Sequence, residues 1–207
     1  MQNQCFKECR GNPLTNQRDF DLRCLSCGKW GLKVICKRCE QNIALKPSIR
    51  LVGGLKVYSF FAYSEIEILL HYKYSPVGSR VYEVLSGIAR EYFKKNFSLQ
   101  AYGVGIDDNV RRGYSHNGVF LHSFSQCGIK PLYGELLASS AVSYAGKSLE
   151  YRQSHPKGFC TKLEGCKDLI LFDDIITTGT SLMEAKKVLE QRGNEVLFAL
   201  TLCDARG

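Results

Sequence analysis

The chain has 207 residues, 44% of them hydrophobic, with ten cysteines and a formal net charge of +8. That length supports one α/β core with a small appended module. No apolar run is long enough for a membrane span or a signal-peptide core, so a cytoplasmic protein with reduced thiols is expected, not a secreted disulfide scaffold.

Residues 1–22 are rich in Asn, Gln and Arg without periodicity and read as a flexible extension. Within it, Cys5 and Cys9 form a Cys-x3-Cys that is either an alternative ligand pair or a pair of ordinary thiols. Residues 23–50 form the second unit. Cys24-x2-Cys27 is followed eight residues later by Cys36-x2-Cys39. Each pair can chelate from a tight turn, and two pairs supply four thiolates for tetrahedral Zn²⁺, so one Zn²⁺ is expected on Cys24, Cys27, Cys36 and Cys39. Cys127, Cys160, Cys166 and Cys203 are scattered and read as ordinary thiols.

The charge is localised. Residues 23–56 hold eight bases against the single acid Glu40, whereas residues 57–207 hold 17 bases and 16 acids. Four thiolates on one Zn²⁺ leave the segment strongly basic. Trp30 lies in it and offers a face for a base to stack on. Trp30, Lys33, Lys37 and Arg38 are therefore the candidate contacts for single-stranded DNA. A solvated basic face, with Trp30 covering a minimal core, is an equal reading of the same residues.

Residues 51–207 form the third unit, in which strands and helices alternate. A strand over 55–63 leads to a short helix from the N-cap Ser64, with Glu67 three residues on, to about residue 74, where Pro76 stops it. Residues 79–96 carry one apolar stripe through Val81, Val84, Leu85, Ile88, Ala89, Tyr92 and Phe93. A strand over 99–106, a helix over 115–124 and a strand over 129–132 follow. Residues 134–167 show little periodicity. The chain closes with strand 169–175, helix 180–192 and strand 195–203, with Gly193 where a C′ glycine belongs. This alternation predicts an α/β fold built on a mostly parallel sheet flanked by helices.

Residues 169–181 carry the strongest chemical signal. Leu169-Ile170-Leu171-Phe172 reads as a buried strand, Asp173-Asp174 as an acidic pair at its carboxyl end, and Thr177-Thr178-Gly179-Thr180-Ser181 as the turn that opens a helix. Small, flexible residues at a helix N-terminus offer backbone N–H groups and a dipole to an anion. The two carboxylates can accept hydrogen bonds from vicinal hydroxyls or help hold a divalent cation. Phosphate, diol and metal together describe a phosphorylated ribose. A plain strand-to-helix turn with a capping hydroxyl has no use for two adjacent carboxylates, and no Gly-Lys-Thr follows to suggest an ATPase loop.

This stretch resembles the phosphoribosyl-pyrophosphate (PRPP) motif of type I phosphoribosyltransferases. A four-cysteine module ahead of such a domain is similar to the ComF family of competence proteins, over roughly residues 24–203. His71-Tyr72-Lys73-Tyr74, Arg112-Gly113-Tyr114-Ser115-His116 and residues 147–159 resemble further segments of that family in degenerate form. The resemblance implies that residues 177–181 hold the 5′-phosphate and that Asp173 and Asp174, the catalytic pair, face the ribose hydroxyls. Mg²⁺ would accompany PRPP. Asp107, Asp108, Arg111 and Arg112 follow the strand over 99–106, where the pyrophosphate would be met; a surface pair at a helix start is an equal reading of the two arginines. Residues 143–158, with Tyr144, Lys147 and Arg152, would form the closing loop. The resemblance also implies a role in DNA uptake during natural transformation, beside a DNA-translocating ATPase at the inner face of the cytoplasmic membrane. The alternative is a phosphoribosyltransferase of nucleotide salvage or amide transfer, although no base-recognition hood is legible. His71, His116, His122 and His155 show no metal-ligand or triad spacing and read as satisfied or exposed histidines.

Overall fold

The computed structural model describes residues 23–107, 110, 113–139 and 157–206. A short helix α1 (Lys37–Gln41) precedes a hairpin of β1 (Ser48–Val52) and β2 (Leu55–Ala62). Then come α2 (Tyr63–Leu70), which tightens into a 3₁₀ turn over His71–Tyr74, and the long helix α3 (Gly78–Asn96). Strand β3 (Ala101–Gly105), α4 (His116–Ser123) and β4 (Ile129–Leu132) follow. The chain continues through β5 (Leu136–Ala138), β6 (Phe159–Thr161), β7 (Asp168–Ile176), α5 (Thr180–Glu190) and β8 (Glu195–Asp204).

Six strands form one sheet in the order β1-β2-β8-β7-β3-β4, and β5 pairs with β6 apart from it. Only β1 runs antiparallel to its neighbour; β2, β8, β7, β3 and β4 are parallel. The fold is thus α/β, a mostly parallel sheet flanked by helices.

Leu169–Phe172 of strand β7 read as an unbroken apolar run because both faces of the strand are covered there. Ile170 and Phe172 join the cluster under α2, α3 and α4, while Leu169 and Leu171 join the one under α5. In α3, Val81, Leu85, Ala89 and Phe93 recur at helical spacing and are fully buried. Burying each of Val81, Leu85 and Phe93 contributes about 1.5–3 kcal/mol. The cysteine segment packs on the same core: Ile35 is fully buried within the α3 cluster, and Leu25, Val34 and Ile43 lean on it.

The structure departs from the sequence reading in three places. Strand β1 begins at Ser48 and so spans the expected boundary between residues 23–50 and 51–207, and it turns into β2 through Gly53 and Gly54, both at positive φ (+52° and +85°). Helix α2 is capped at Ala62 with no side-chain hydrogen bond, two residues before the expected cap Ser64. Two three-residue strands, β5 and β6, lie within the weakly periodic residues 134–167. Ser115 does cap α4, its hydroxyl accepting from the Gly118 N–H at 2.9 Å, and Gly193 adopts φ +79° after α5.

The connections explain where a ligand can sit. From β3 the chain passes through α4 to β4 on one side, and from β7 through α5 to β8 on the other. Neighbouring strands whose connections leave in opposite directions open a crevice at their carboxyl ends, the usual place for a ligand in such a sheet. Here it lies between Ile106–Asp107 after β3 and Asp173–Asp174 on β7.

Candidate functional site

The two acids of β7 sit in unlike surroundings. Asp174 is buried, and its Oδ2 accepts from Lys73 Nζ at 2.6 Å and Tyr82 OH at 3.0 Å, with His116 Nε2 at 3.9 Å. Its Oδ1 accepts from the Ile175 N–H at 3.0 Å. Burial opposes ionisation, but Lys73, His116 and these hydrogen bonds outweigh it and hold the carboxyl well below the usual range. Lys73 is held in its charged form in turn: burial works against the charge, Asp174 more than restores it, and the pKa rises. The Lys73 carbonyl accepts from Tyr114 OH, which fixes the 3₁₀ turn that carries the lysine.

Asp173 is half-buried. Its Oδ1 accepts from Asn117 Nδ2 at 3.2 Å and from the Asp174 N–H at 3.0 Å. Asn117 also donates to the Ile106 carbonyl at 2.6 Å, tying the end of β3 to the acid. Burial first, and the fixed charge of Asp174 second, push Asp173 up to about 7, against Lys157 and Lys73. Two adjacent carboxylates with pKa values driven apart make this crevice a candidate functional site.

The turn behind them is built for a close backbone approach. Gly179 has φ +81° and caps α5 without a side-chain hydrogen bond. A Cβ at that position would lie 2.6 Å from Val52 Cγ1 and 3.2 Å from Cγ2, so only glycine fits against β1. Thr178 and Thr180 share a hydroxyl contact at 2.9 Å, and the Thr180 N–H reaches Thr178 Oγ1 at 3.4 Å. From β1, Arg50 Nη1 donates to the Thr177 carbonyl at 2.7 Å and pairs with Asp204 Oδ1 at 3.1 Å. Residues 177–181 thus form one turn at the N-terminus of an eleven-residue helix, whose dipole favours an anion.

Across the crevice, Asp107 has φ +49°, an uncommon conformation for a non-glycine residue that costs of order 1–3 kcal/mol. Its carboxylate accepts from the Ala138 N–H at 3.0 Å and so fastens β5 to the end of β3. Opposite, Glu184 on α5 accepts from the Lys157 and Gly158 N–H groups at 3.1 and 2.6 Å. Asp108, Arg111, Arg112, Tyr144, Lys147 and Arg152 lie outside the described residues, as do Cys5 and Cys9.

The four cysteines of the N-terminal segment come together, with all four Sγ atoms within 4.8 Å of one another. Cys24 starts a tight turn closed by Gly28 at φ +69°, and Cys36 caps α1, which carries Cys39. The Cys36 N–H donates to Cys24 Sγ at 3.3 Å. Burial opposes the Cys24 thiolate, yet the N–H groups of Cys36, Cys27 and Ser26 lower its pKa to about 6. The Cys27 and Cys36 sulfurs are 3.8 Å apart. Sulfurs at 2.3 Å from a tetrahedral Zn²⁺ stand about 3.8 Å from each other, so this donor set fits that ion. Trp30 is 72% exposed with the Arg23 guanidinium 4.7 Å from its ring centre, and Lys33, Lys37 and Arg38 of the same segment are exposed.

The sequence reading did not single out Tyr82, Asn117, Arg50 or Lys157 at the site, and it set His116 aside as a satisfied histidine. The available signal was weak: a tyrosine next to Val81 of the apolar helical stripe, and a His-Asn pair directly after a capping serine.

No family model matches the chain, and no curated protein matches its sequence. Among the solved structures that resemble it are three adenine phosphoribosyltransferases. One is an adenine phosphoribosyltransferase, 13% identical, covering 80% of this chain and 88% of its own at a TM-score of 0.38. A second is the Saccharomyces cerevisiae adenine phosphoribosyltransferase complexed with adenine and an imino-altritol bisphosphate, 16% identical, with the same coverage and TM-score. The third, from Leishmania tarentolae, is 13% identical, covering 71% of this chain and 77% of its own at 0.37.

Proposed function

We propose that the chain binds PRPP in the crevice at the carboxyl ends of β3 and β7, with Mg²⁺ carried on the pyrophosphate. One observation supports this reading above the others: an acidic pair leads directly into a glycine-kinked turn on a helix N-terminus, at the point where the strand order reverses. Residues 177–181 would receive the 5′-phosphate on backbone N–H groups and hydroxyls. Asp173 and Asp174 would accept from the two ribose hydroxyls, Asp174 as a carboxylate locked by Lys73, Tyr82 and His116. Arg111, Arg112 and Lys147 remain the proposed contacts to the pyrophosphate and closing loop.

The test is calorimetric titration of PRPP with Mg²⁺ into wild type and Asp173→Asn. Asn has the shape of the protonated acid and keeps an acceptor for Asn117, so the fold is expected to survive. A charge-assisted hydrogen bond is worth about 1.5–3 kcal/mol, so affinity is expected to fall at least about tenfold. Equal affinity in the two proteins contradicts the assignment.

The same proposal makes the chain a ComF-type accessory protein for DNA uptake, with one Zn²⁺ on the four cysteines and single-stranded DNA on the basic face around Trp30. Work beside a DNA-translocating ATPase at the inner face of the cytoplasmic membrane belongs to this reading. Among the described residues no helix is long and apolar enough to cross a membrane. The exposed cations Lys33, Lys37 and Arg38 support phosphate contact, because each neutralised phosphate releases counterions. Changing all three to Ala is expected to reduce the slope of log affinity against log salt by about 2 for single-stranded DNA. A slope equal to that of wild type would leave the face without a nucleic-acid role.

A further inference from the structure

We propose that Arg50 and Val52 are positioning residues for the turn over residues 177–181, and that bracing this turn is the task of strand β1. None of the five residues of β1 is buried, and Ile49 and Leu51 stand 67% and 68% exposed. The strand therefore adds little to the core. Its inward-facing residues meet the turn instead.

Arg50 supplies the directional contact. Its Nη1 donates to the Thr177 carbonyl at 2.7 Å while Asp204, at the end of β8, holds the guanidinium from the other side at 3.1 Å. A trans peptide points its C=O and N–H in opposite directions. A Thr177 carbonyl fixed on Arg50 therefore turns the Thr178 N–H away from β1, and a cationic donor on that carbonyl polarises the peptide so that its N–H binds anions better. Val52 supplies the steric contact, seated where a Cβ of residue 179 would be. The β1–β2 turn then rests on the first turn of α5, since a Cβ on Gly53 would lie 2.6 Å from Met183 Cε. Three successive contacts from one hairpin thus fix the turn and the helix end behind it.

The link to anion affinity rests on the PRPP reading, whereas the bracing itself does not. Amide hydrogen exchange over residues 177–181 in the ligand-free protein separates the two. Arg50→Ala is expected to speed exchange there at least tenfold while the central amides of β7 stay as in wild type, and Arg50→Lys is expected to restore part of the protection. PRPP affinity should fall in the same order. Wild-type exchange in the turn of Arg50→Ala would overturn the proposal. Should Arg50→Ala not fold, Arg50→Gln keeps one donor, and wild-type exchange in its turn overturns the proposal equally. Wild-type protein that fails to bind PRPP would refute the ligand assignment while the exchange result still decides the role of Arg50.

Discussion

Replacing Asp174 by Asn is expected to cost the ligand-free protein about 3 kcal/mol, the low end for breaking a buried ion pair. It should also remove PRPP binding. Lys73, only 22% exposed, would keep its charge without its partner, and Tyr82 OH and His116 would lose the carboxylate they face. Asp173→Asn is expected to behave differently at neutral pH, because that acid is already near its midpoint at about 7. The pH dependence separates the two residues. Asp174 has a depressed folded pKa, so its contribution is complete above the unfolded value of about 3.9 and is lost as pH falls below it. Asp173 has a raised folded pKa, so the folded state binds its proton more tightly and stability declines as pH rises from about 4 to about 7. Urea unfolding across pH 3–8 should show that second slope in wild type and not in Asp173→Asn. An Asp174→Asn variant as stable as wild type at pH 7 would mean that the Lys73 pair carries no net stabilisation.

Removal of metal is expected to have the larger structural effect. Structural Zn²⁺ sites contribute about 10–16 kcal/mol of apparent binding energy, comparable to the entire stability of a domain. Elemental analysis should find one Zn²⁺ per chain, unchanged when residues 1–22 are deleted. Chelation should free Ile35 and its neighbours Leu25 and Val34 from the α3 core. Trp30 is the chain's single tryptophan and sits under Arg23, so its fluorescence reports the segment directly. Metal lost together with residues 1–22 would transfer the site to Cys5 and Cys9. Thermal unfolding indifferent to chelation would make the cluster four ordinary thiols.

Both features rest on short-range patterns. Cys24 to Cys39 and Leu169 to Ser181 each lie within one supersecondary unit, where spacing alone brings the candidate groups together. The surroundings of the acids were out of reach for the opposite reason. Lys73 lies 101 residues from Asp174, Tyr82 lies 92 from it, and Arg50 lies 127 from Thr177. Only the sheet order brings them together. Strand β1 was hidden by its pattern as well: its apolar Ile49 and Leu51 face outward while Arg50 faces in, the reverse of what alternation leads one to expect. The glycine pair after it was a legible hairpin signal. Strands β5 and β6 are three residues each, too short for alternation to register.

The claim at the centre is that the crevice beside Asp173 and Asp174 reads a phosphorylated ribose carrying a pyrophosphate. Competition calorimetry tests it most directly, with PRPP, ribose 5-phosphate and inorganic phosphate titrated separately in Mg²⁺ and then PRPP titrated again in excess chelator. The account predicts saturable binding at one site per chain, tightest for PRPP, weaker for ribose 5-phosphate and weakest for phosphate, with the PRPP advantage lost on removing Mg²⁺. Equal affinity for PRPP and inorganic phosphate, or no heat from PRPP at all, would contradict it.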